Sequence, residues 1–204
     1  QEALDPVRHI GNRSSGRMGY ALVEAARDRG AQVTLITAPT CFAPIAQVHT
    51  VAVRSADEMH RAVVEACVQA DILIMAAVAD YRPAAPATHK IKKTAGPLVL
   101  ELERTIDILA SLATSAARPK LVIGFAAETE NLLQNAAAKL HRKALDMIVA
   151  NDVSSPDSGF EVDTNRVTLL TPDGQIEKLP LMAKSEVAEQ VVGRIGRMWK
   201  ERHG

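Results

Sequence analysis

Aromatic residues are scarce in this 204-residue chain, which has three Phe, two Tyr and one Trp, 3% in all. Its core must therefore be built from Ala, Val, Leu and Ile. The 47% hydrophobic content supplies enough of them for one large domain or two small ones. An excess of either charge is also lacking, since 24 Lys plus Arg balance 24 Asp plus Glu. That balance argues against a nucleic-acid or membrane-surface protein and still allows a local basic pocket for a small anion. Cysteine is nearly absent. Cys41 and Cys67 have no metal or redox spacing, which argues against a disulfide framework and fits a reducing cytoplasm. The six histidines are scattered, with no His-x-x-x-His pair and none beside a cysteine, so no zinc site is expected. No apolar run reaches the roughly 18 residues needed to span a bilayer, and no signal peptide, internal repeat or low-complexity tract is visible.

What is present is an alternation of short apolar runs with amphipathic helices. Val33–Thr37, Asp71–Val78, Leu121–Phe125 and Met147–Ala150 read as strands. Asp71–Val78, with no polar alternation, is expected to be buried on both faces. Helices are expected from about Arg17 to Arg29, ending at Gly30, and from Ser55, where Glu58 completes a capping box. Others are expected over Asp107–Ala117, Thr129–Leu145 and Ser185–Glu201. This order predicts an α/β fold, a Rossmann-like doubly wound and mainly parallel sheet with helices on both faces. Arg166–Thr171 and Gln175–Pro180 flank Pro172-Asp173-Gly174, which predicts a β-hairpin at an antiparallel edge. One domain, residues 1–204, is expected. It opens on a loop, Gln1–Arg8, followed directly by a helix. A doubly wound fold would put a strand before that loop, so an upstream strand is expected in the natural protein.

Five segments could carry chemistry. Gly11-Asn-Arg-Ser-Ser-Gly-Arg-Met-Gly19 runs into a helix start, where unpaired N–H groups and the helix dipole favour an anion. It lacks Gly-x-Gly-x-x-Gly, so an ordinary capped helix is the better reading on motif grounds. Ala76-Ala-Val-Ala-Asp-Tyr-Arg82 lies at the carboxyl end of a strand, where open α/β sheets bind ligands. Its small side chains would admit a ligand to the backbone, with Asp80 at the mouth, or would only pack against a helix. His89-Lys-Ile-Lys-Lys93 could close over phosphates or be a solvated charge run. Gly124-Phe-Ala-Ala-Glu-Thr129 offers Phe125 for stacking on a base or for the core. Lys139 and Lys143 share a helical face, as a phosphate clamp or a wet surface. Ala150-Asn-Asp-Val153 would cap and turn. Singly these signals are weak. Their joint placement predicts a nucleotide- or phosphate-binding α/β domain, and spacing alone names no reaction.

Taken in order, Leu4-Asp-Pro-Val-Arg8, Asn12-x-Ser-Ser-Gly-x-Met-Gly19, Ala76-Ala-Val-Ala-Asp-Tyr81, Lys90-Ile-Lys-Lys93, Gly124-Phe-Ala-Ala-Glu-Thr129 and Ala150-Asn-Asp152 resemble the bacterial phosphopantothenoylcysteine synthetases over nearly the whole chain. In many bacteria that domain is the C-terminal half of a bifunctional protein whose other half is a flavin-dependent decarboxylase. The resemblance implies a CTP- and Mg²⁺-dependent ligase of coenzyme A synthesis. 4'-Phosphopantothenate would become an acyl-cytidylate, and cysteine would then displace CMP. It also implies a cytoplasmic homodimer whose flap reaches the partner subunit.

The implied roles are specific. Asn12 and Arg8 would hold the acyl-cytidylate, and Lys90 would neutralise charge in the first half-reaction. Ala76, Ala77, Asp80, Asp107 and Phe125 would line the nucleotide site, and Lys139 and Lys143 would bind the triphosphate. Two departures stand out. The family usually opens this domain with a strand and a Gly-rich Thr-x-Glu loop, of which only Glu2 onward is present. It also commonly has Asn-Pro-Asp where this chain has Thr105-Ile-Asp107. The competing expectations are a dinucleotide-binding oxidoreductase and a non-catalytic regulatory subunit of the same fold.

Overall fold

The structure is a computed structural model that describes residues 1–93, 95–154, 157–159 and 162–203. The chain starts with two short strands, β1 (Glu2–Ala3) and β2 (His9–Ile10), paired antiparallel where a plain loop was expected. Asp5 closes the turn between them, accepting from the Val7 and Arg8 N–H groups at 2.8 and 2.9 Å. Helix α1 (Arg17–Asp28) ends as Gly30 requires. Gly30 has φ +84, and the N–H groups of Gly30 and Ala31 return to the carbonyls of Arg27 and Ala26. Strand β3 (Thr34–Thr37) pairs in parallel with β4 (His49–Ala52), a strand the apolar pattern did not reveal. Helix α2 (Ala56–Cys67) carries the expected cap. Ser55 accepts from the Glu58 N–H, and Glu58 reaches back to the Arg54 N–H. The buried Glu2 carboxylate adds an acceptor for the Ala56 N–H at 2.6 Å.

The central sheet is mixed. Strands β5 (Ile72–Met75), β8 (Leu121–Glu128) and β9 (Met147–Asp152) run parallel. Strands β11 (Val167–Leu170) and β12 (Ile176–Lys178) follow antiparallel, giving the order β12-β11-β9-β8-β5. Between β5 and β8 the chain makes a small antiparallel pair, β6 (Tyr81–Pro83) with β7 (Leu102–Arg104), and helix α3 (Ile108–Ala113). Helix α4 (Leu132–Arg142) links β8 to β9. The short strands β10 (Thr164–Asn165) and β13 (Met182–Ala183) pair with each other, and helix α5 (Lys184–His203) closes the fold.

Two apolar layers cover the two faces of the sheet. Leu121, Ile123, Met147, Val149, Val167 and Leu169 pack with Leu22 and Ala25 of α1 and with Val187, Val191 and Ile195 of α5. On the other face Val122, Ala126, Ile148 and Ala150 pack with α2, α3 and α4 through Val63, Leu109, Leu112, Ala136 and Leu140. The mixed α/β class with helices about a parallel-containing sheet is thus as the sequence implied. Three local expectations need correction. The strand expected over Asp71–Val78 is only Ile72–Met75, and only Met75 is fully buried. Among the described residues strand β5 is the edge of its sheet, bonded to β8 alone, and the strand ends before Ala76. Strand β8 runs on through Phe125 to Glu128, which delays the next helix to Leu132. The expected helix over Asp107–Ala117 is cut to Ile108–Ala113 by the turn at Thr114. Among the described residues, no helix is long and apolar enough to cross a membrane.

Candidate functional site

The parallel strands end on one side of the sheet, and most of the sequence-predicted site residues collect there. Once past β5, residues 76–80 form an irregular segment held from two directions. Asn12 donates its Nδ2 to the Val78 carbonyl at 3.2 Å. Thr105 bonds the Ala79 carbonyl through its hydroxyl at 2.5 Å, and its N–H donates to the Asp80 carbonyl at 3.0 Å. Sequence reasoning missed Thr105. The residue that replaces the family's asparagine acts here as the clamp on the loop bearing Ala76, Ala77 and Asp80.

Two residues on, Asp107 caps α3 by accepting from the Ala110 N–H at 3.1 Å, and it pairs at 3.0 Å with Lys143, the residue that ends α4. Burial pushes the Asp107 carboxyl up, but the bonds from Lys143 and Ala110 outweigh it and the net shift is downward. Lys139, one turn before Lys143, donates to the Phe125 carbonyl at 2.8 Å. Burial lowers its pKa, and the neighbouring Lys143 lowers it further. The charges of Asp80, Glu128 and Asp107 pull the other way. Lys139, Lys143, Asp80, Asp107 and Glu128 therefore form one electrostatic group, two ammonium groups close enough to disfavour each other among three carboxylates. The Phe125 ring does not join them. It shares the parity of Leu121 and Ile123 and packs on the α1–α5 side, while its carbonyl faces Lys139.

A second group is built on the first turn. The Asp5 side chain is fully buried and receives Val7 N and Arg8 N on one oxygen. The other receives the Arg8 guanidinium and, at 3.1 Å, the Ile91 N–H. The Arg8 guanidinium holds the Asp5 carboxyl well below the usual carboxylate range. Burial opposes this, and the N–H bonds from Val7, Ile91 and Arg8 reinforce it. Arg8 also donates to the Ile91 carbonyl at 3.0 Å, and Ala87 donates to the Leu4 carbonyl at 2.9 Å. Arg8 is thus fixed beside the peptide that follows Lys90, while Lys90 itself is exposed.

At the start of α1 the N-cap is Gly16, at φ +83. Ser14 and Ser15 accept at 3.4 and 3.3 Å from the N–H groups of Gly16 and Arg17. A Cβ at Gly16 would come within 2.9 Å of the Thr40 methyl. A cavity of about 540 Å³ beside α1, lined by Arg17, Tyr20, Phe42 and Lys184 among others, includes none of the sequence-predicted site residues. Among the described residues no three His, Cys, Asp or Glu side chains gather as a metal site.

Residues 1–198 match the family described as the DNA/pantothenate metabolism flavoprotein C-terminal domain. The chain belongs to that family. Among relatives of this flavoprotein C-terminal domain, the coenzyme A biosynthesis bifunctional protein CoaBC of Bacillus subtilis is 43% identical over 203 residues, 98% of this chain and 50% of that protein. A cysteine/cysteine sulfinic acid decarboxylase of unknown prokaryotic origin is 45% identical over 196 residues, 95% of this chain and 55% of that protein. The chain therefore spans about half the length of these curated relatives. The crystal structure of the C-terminal domain of a CoaBC protein superposes with a TM-score of 0.82 at 41% identity, covering 98% of this chain and 92% of that one.

Proposed function

We propose that this domain is a phosphopantothenate–cysteine ligase of coenzyme A synthesis. In this reading the carboxylate of 4'-phosphopantothenate attacks the α-phosphorus of CTP, forming an acyl-cytidylate and releasing pyrophosphate. The cysteine amine then attacks the acyl carbon, CMP leaves, and an amide forms. The observation that carries the reading is the alignment of nearly the whole chain with CoaBC relatives, together with the meeting of Lys139 and Lys143 with Asp80 and Asp107 beside the parallel strands. The missing Gly-x-Gly-x-x-Gly and the Lys90 loop count against a dinucleotide oxidoreductase, and the retained Arg8, Asn12 and Lys90 against a catalytically silent subunit.

The first step brings a carboxylate to a triphosphate, so like-charge repulsion dominates its barrier. Lys139, Lys143 and Lys90 would offset that repulsion. Residues 76–80 are tethered by Thr105 and Asn12, and their small side chains would let the nucleotide approach the backbone. The Phe125 ring, on the other face, would support the cleft wall. Asn12 and Arg8 would hold the acyl-cytidylate while cysteine attacks. Mg²⁺, which usually keeps several waters and is held by substrate phosphates with one or two carboxylates, would arrive with the nucleotide and neutralise charge there. Leu98, Val99, Leu100 and Leu102, at and before β7, are exposed, Val99 at 86%. This apolar surface supports assembly as a homodimer. The bifunctional relatives, about twice as long, support a decarboxylase domain as a fused or associated partner.

The test is pyrophosphate release from 4'-phosphopantothenate with CTP or ATP, with and without cysteine. CTP-dependent release, with CMP formed only after cysteine is added, is expected. Product formation with neither nucleotide would sink the reading.

A further inference from the structure

We infer that Asp5 is a positioning residue that locks Arg8 and the Lys90 loop into a single unit, so that both half-reactions depend on it. This rests on the functional reading above, in which Arg8 and Lys90 both meet the activated substrate. A carboxylate that only closed the β1–β2 turn would need the Val7 and Arg8 N–H groups, and one oxygen takes both, at 2.8 and 2.9 Å. The second oxygen is engaged outside the turn. It accepts from the Arg8 guanidinium and from the Ile91 N–H, 86 residues away in the chain. Arg8 completes the arrangement by bonding the carbonyl of the same Ile91. Both polar groups of Ile91 are therefore held by the Asp5–Arg8 pair, one residue after Lys90. The Ala87 N–H bonded to Leu4 pins the same segment upstream.

The geometry says what an amide would do there. The two short turn bonds fix an oxygen on the Val7 side, so Asp5→Asn would turn its NH₂ toward Ile91 N–H and the guanidinium. Donor would then face donor at both. The turn would survive and the link to the loop would break.

The experiment measures amide hydrogen exchange of the wild-type chain and D5N, together with the two half-reactions. In D5N the Ile91 amide is expected to exchange at least about tenfold faster, the size of losing one bond to a charged acceptor. The Val7 and Arg8 amides should stay near wild type, while the melting temperature falls because the buried Asp5–Arg8 ion pair is lost, so the rates are read well below the D5N midpoint. Pyrophosphate release and cysteine-dependent CMP release should both fall at least about tenfold, with the KM for CTP unchanged. Wild-type exchange at Ile91 overturns the inference, as does faster exchange with both half-reactions intact. If D5N does not fold, Ile91→Pro removes the same N–H and leaves the Asp5–Arg8 pair intact. Pyrophosphate release should then fall, and a wild-type rate overturns the inference. The exchange measurement needs no substrate, so an inactive wild-type chain would refute the functional reading separately.

Discussion

Replacing Lys139 with methionine separates binding from folding. Methionine has similar length and volume, so α4 should repack with little strain. The Phe125 carbonyl loses a 2.8 Å donor, a cost of about 1 kcal/mol. Removing a buried ammonium that is crowded by Lys143 offsets that cost. The net change in stability is expected within about 1 kcal/mol of zero. Loss of a charge-assisted bond to a phosphate should instead cost about 1.5–3 kcal/mol of nucleotide affinity, roughly 10- to 150-fold in Kd. The pH dependence carries a further signature. Because the folded pKa of Lys139 lies below its ordinary 10.5, the charged amine costs stability at all pH below the folded value. Stability should rise as pH climbs from the folded value to 10.5, and K139M should lack that rise. Nucleotide binding should show the opposite slope, falling over the same window, because a triphosphate favours the charged amine. Calorimetric titration with CTP beside urea denaturation reads both. If K139M binds CTP within about twofold of wild type, or weakens only in proportion to lost folded protein, the assignment of Lys139 is refuted.

Four further outcomes are expected. Lys90→Gln should block pyrophosphate release, whereas Asn12→Asp should permit it and impair product formation; a quench assay with wild-type rates for either would remove that residue from its role. Asp146→Ala should destabilise by about 3 kcal/mol, lowering Tm by roughly 6–12 °C. It strands Arg118, Arg202 and the buried Val122 N–H, all of which Asp146 now accepts at 2.5–2.8 Å, and a thermal melt checks this. Gly124→Val should cost about 1–3 kcal/mol in urea denaturation, since even a Cβ would stand 2.7 Å from Leu145 Cδ1 and 3.3 Å from Leu109 Cδ1.

The sequence was readable where burial imposes a period and opaque where contacts are few and distant. Leu121–Phe125 and Met147–Ala150 are apolar runs because β8 and β9 are flanked on both sides and covered on both faces. Ser55 with Glu58 and Gly30 mark helix ends through local bonds that residue type alone reveals. Strands of two to four residues, such as β1, β4, β6 and β7, are too short or too exposed to show any period. Within the site, Asp80 was legible from its place at a strand end and Lys139 and Lys143 from their shared helical face, whereas a nucleotide role for these residues and Asp107 rested on the family resemblance. The direction of the Phe125 ring follows from its parity with Leu121 and Ile123, a signal that was available. The Asp5 turn also had one, since Asp before Pro commonly accepts from the next N–H groups. Its bond to Ile91 had none, because nothing local announces a partner 86 residues away.

Asp146 sits at the amino ends of β8 and β9. It fastens the start of β8, the approach to β8 at Arg118 and the last turn of α5 at Arg202. The final helix is therefore hooked to the middle of the sheet by its tail as well as glued along its length. Trimming the chain by three residues would unhook it while leaving nearly all of its apolar contacts in place. Such a shortened protein should still collapse but let α5 fray from its end inward. Anyone choosing where to attach a label or a fusion would do better to leave that tail untouched.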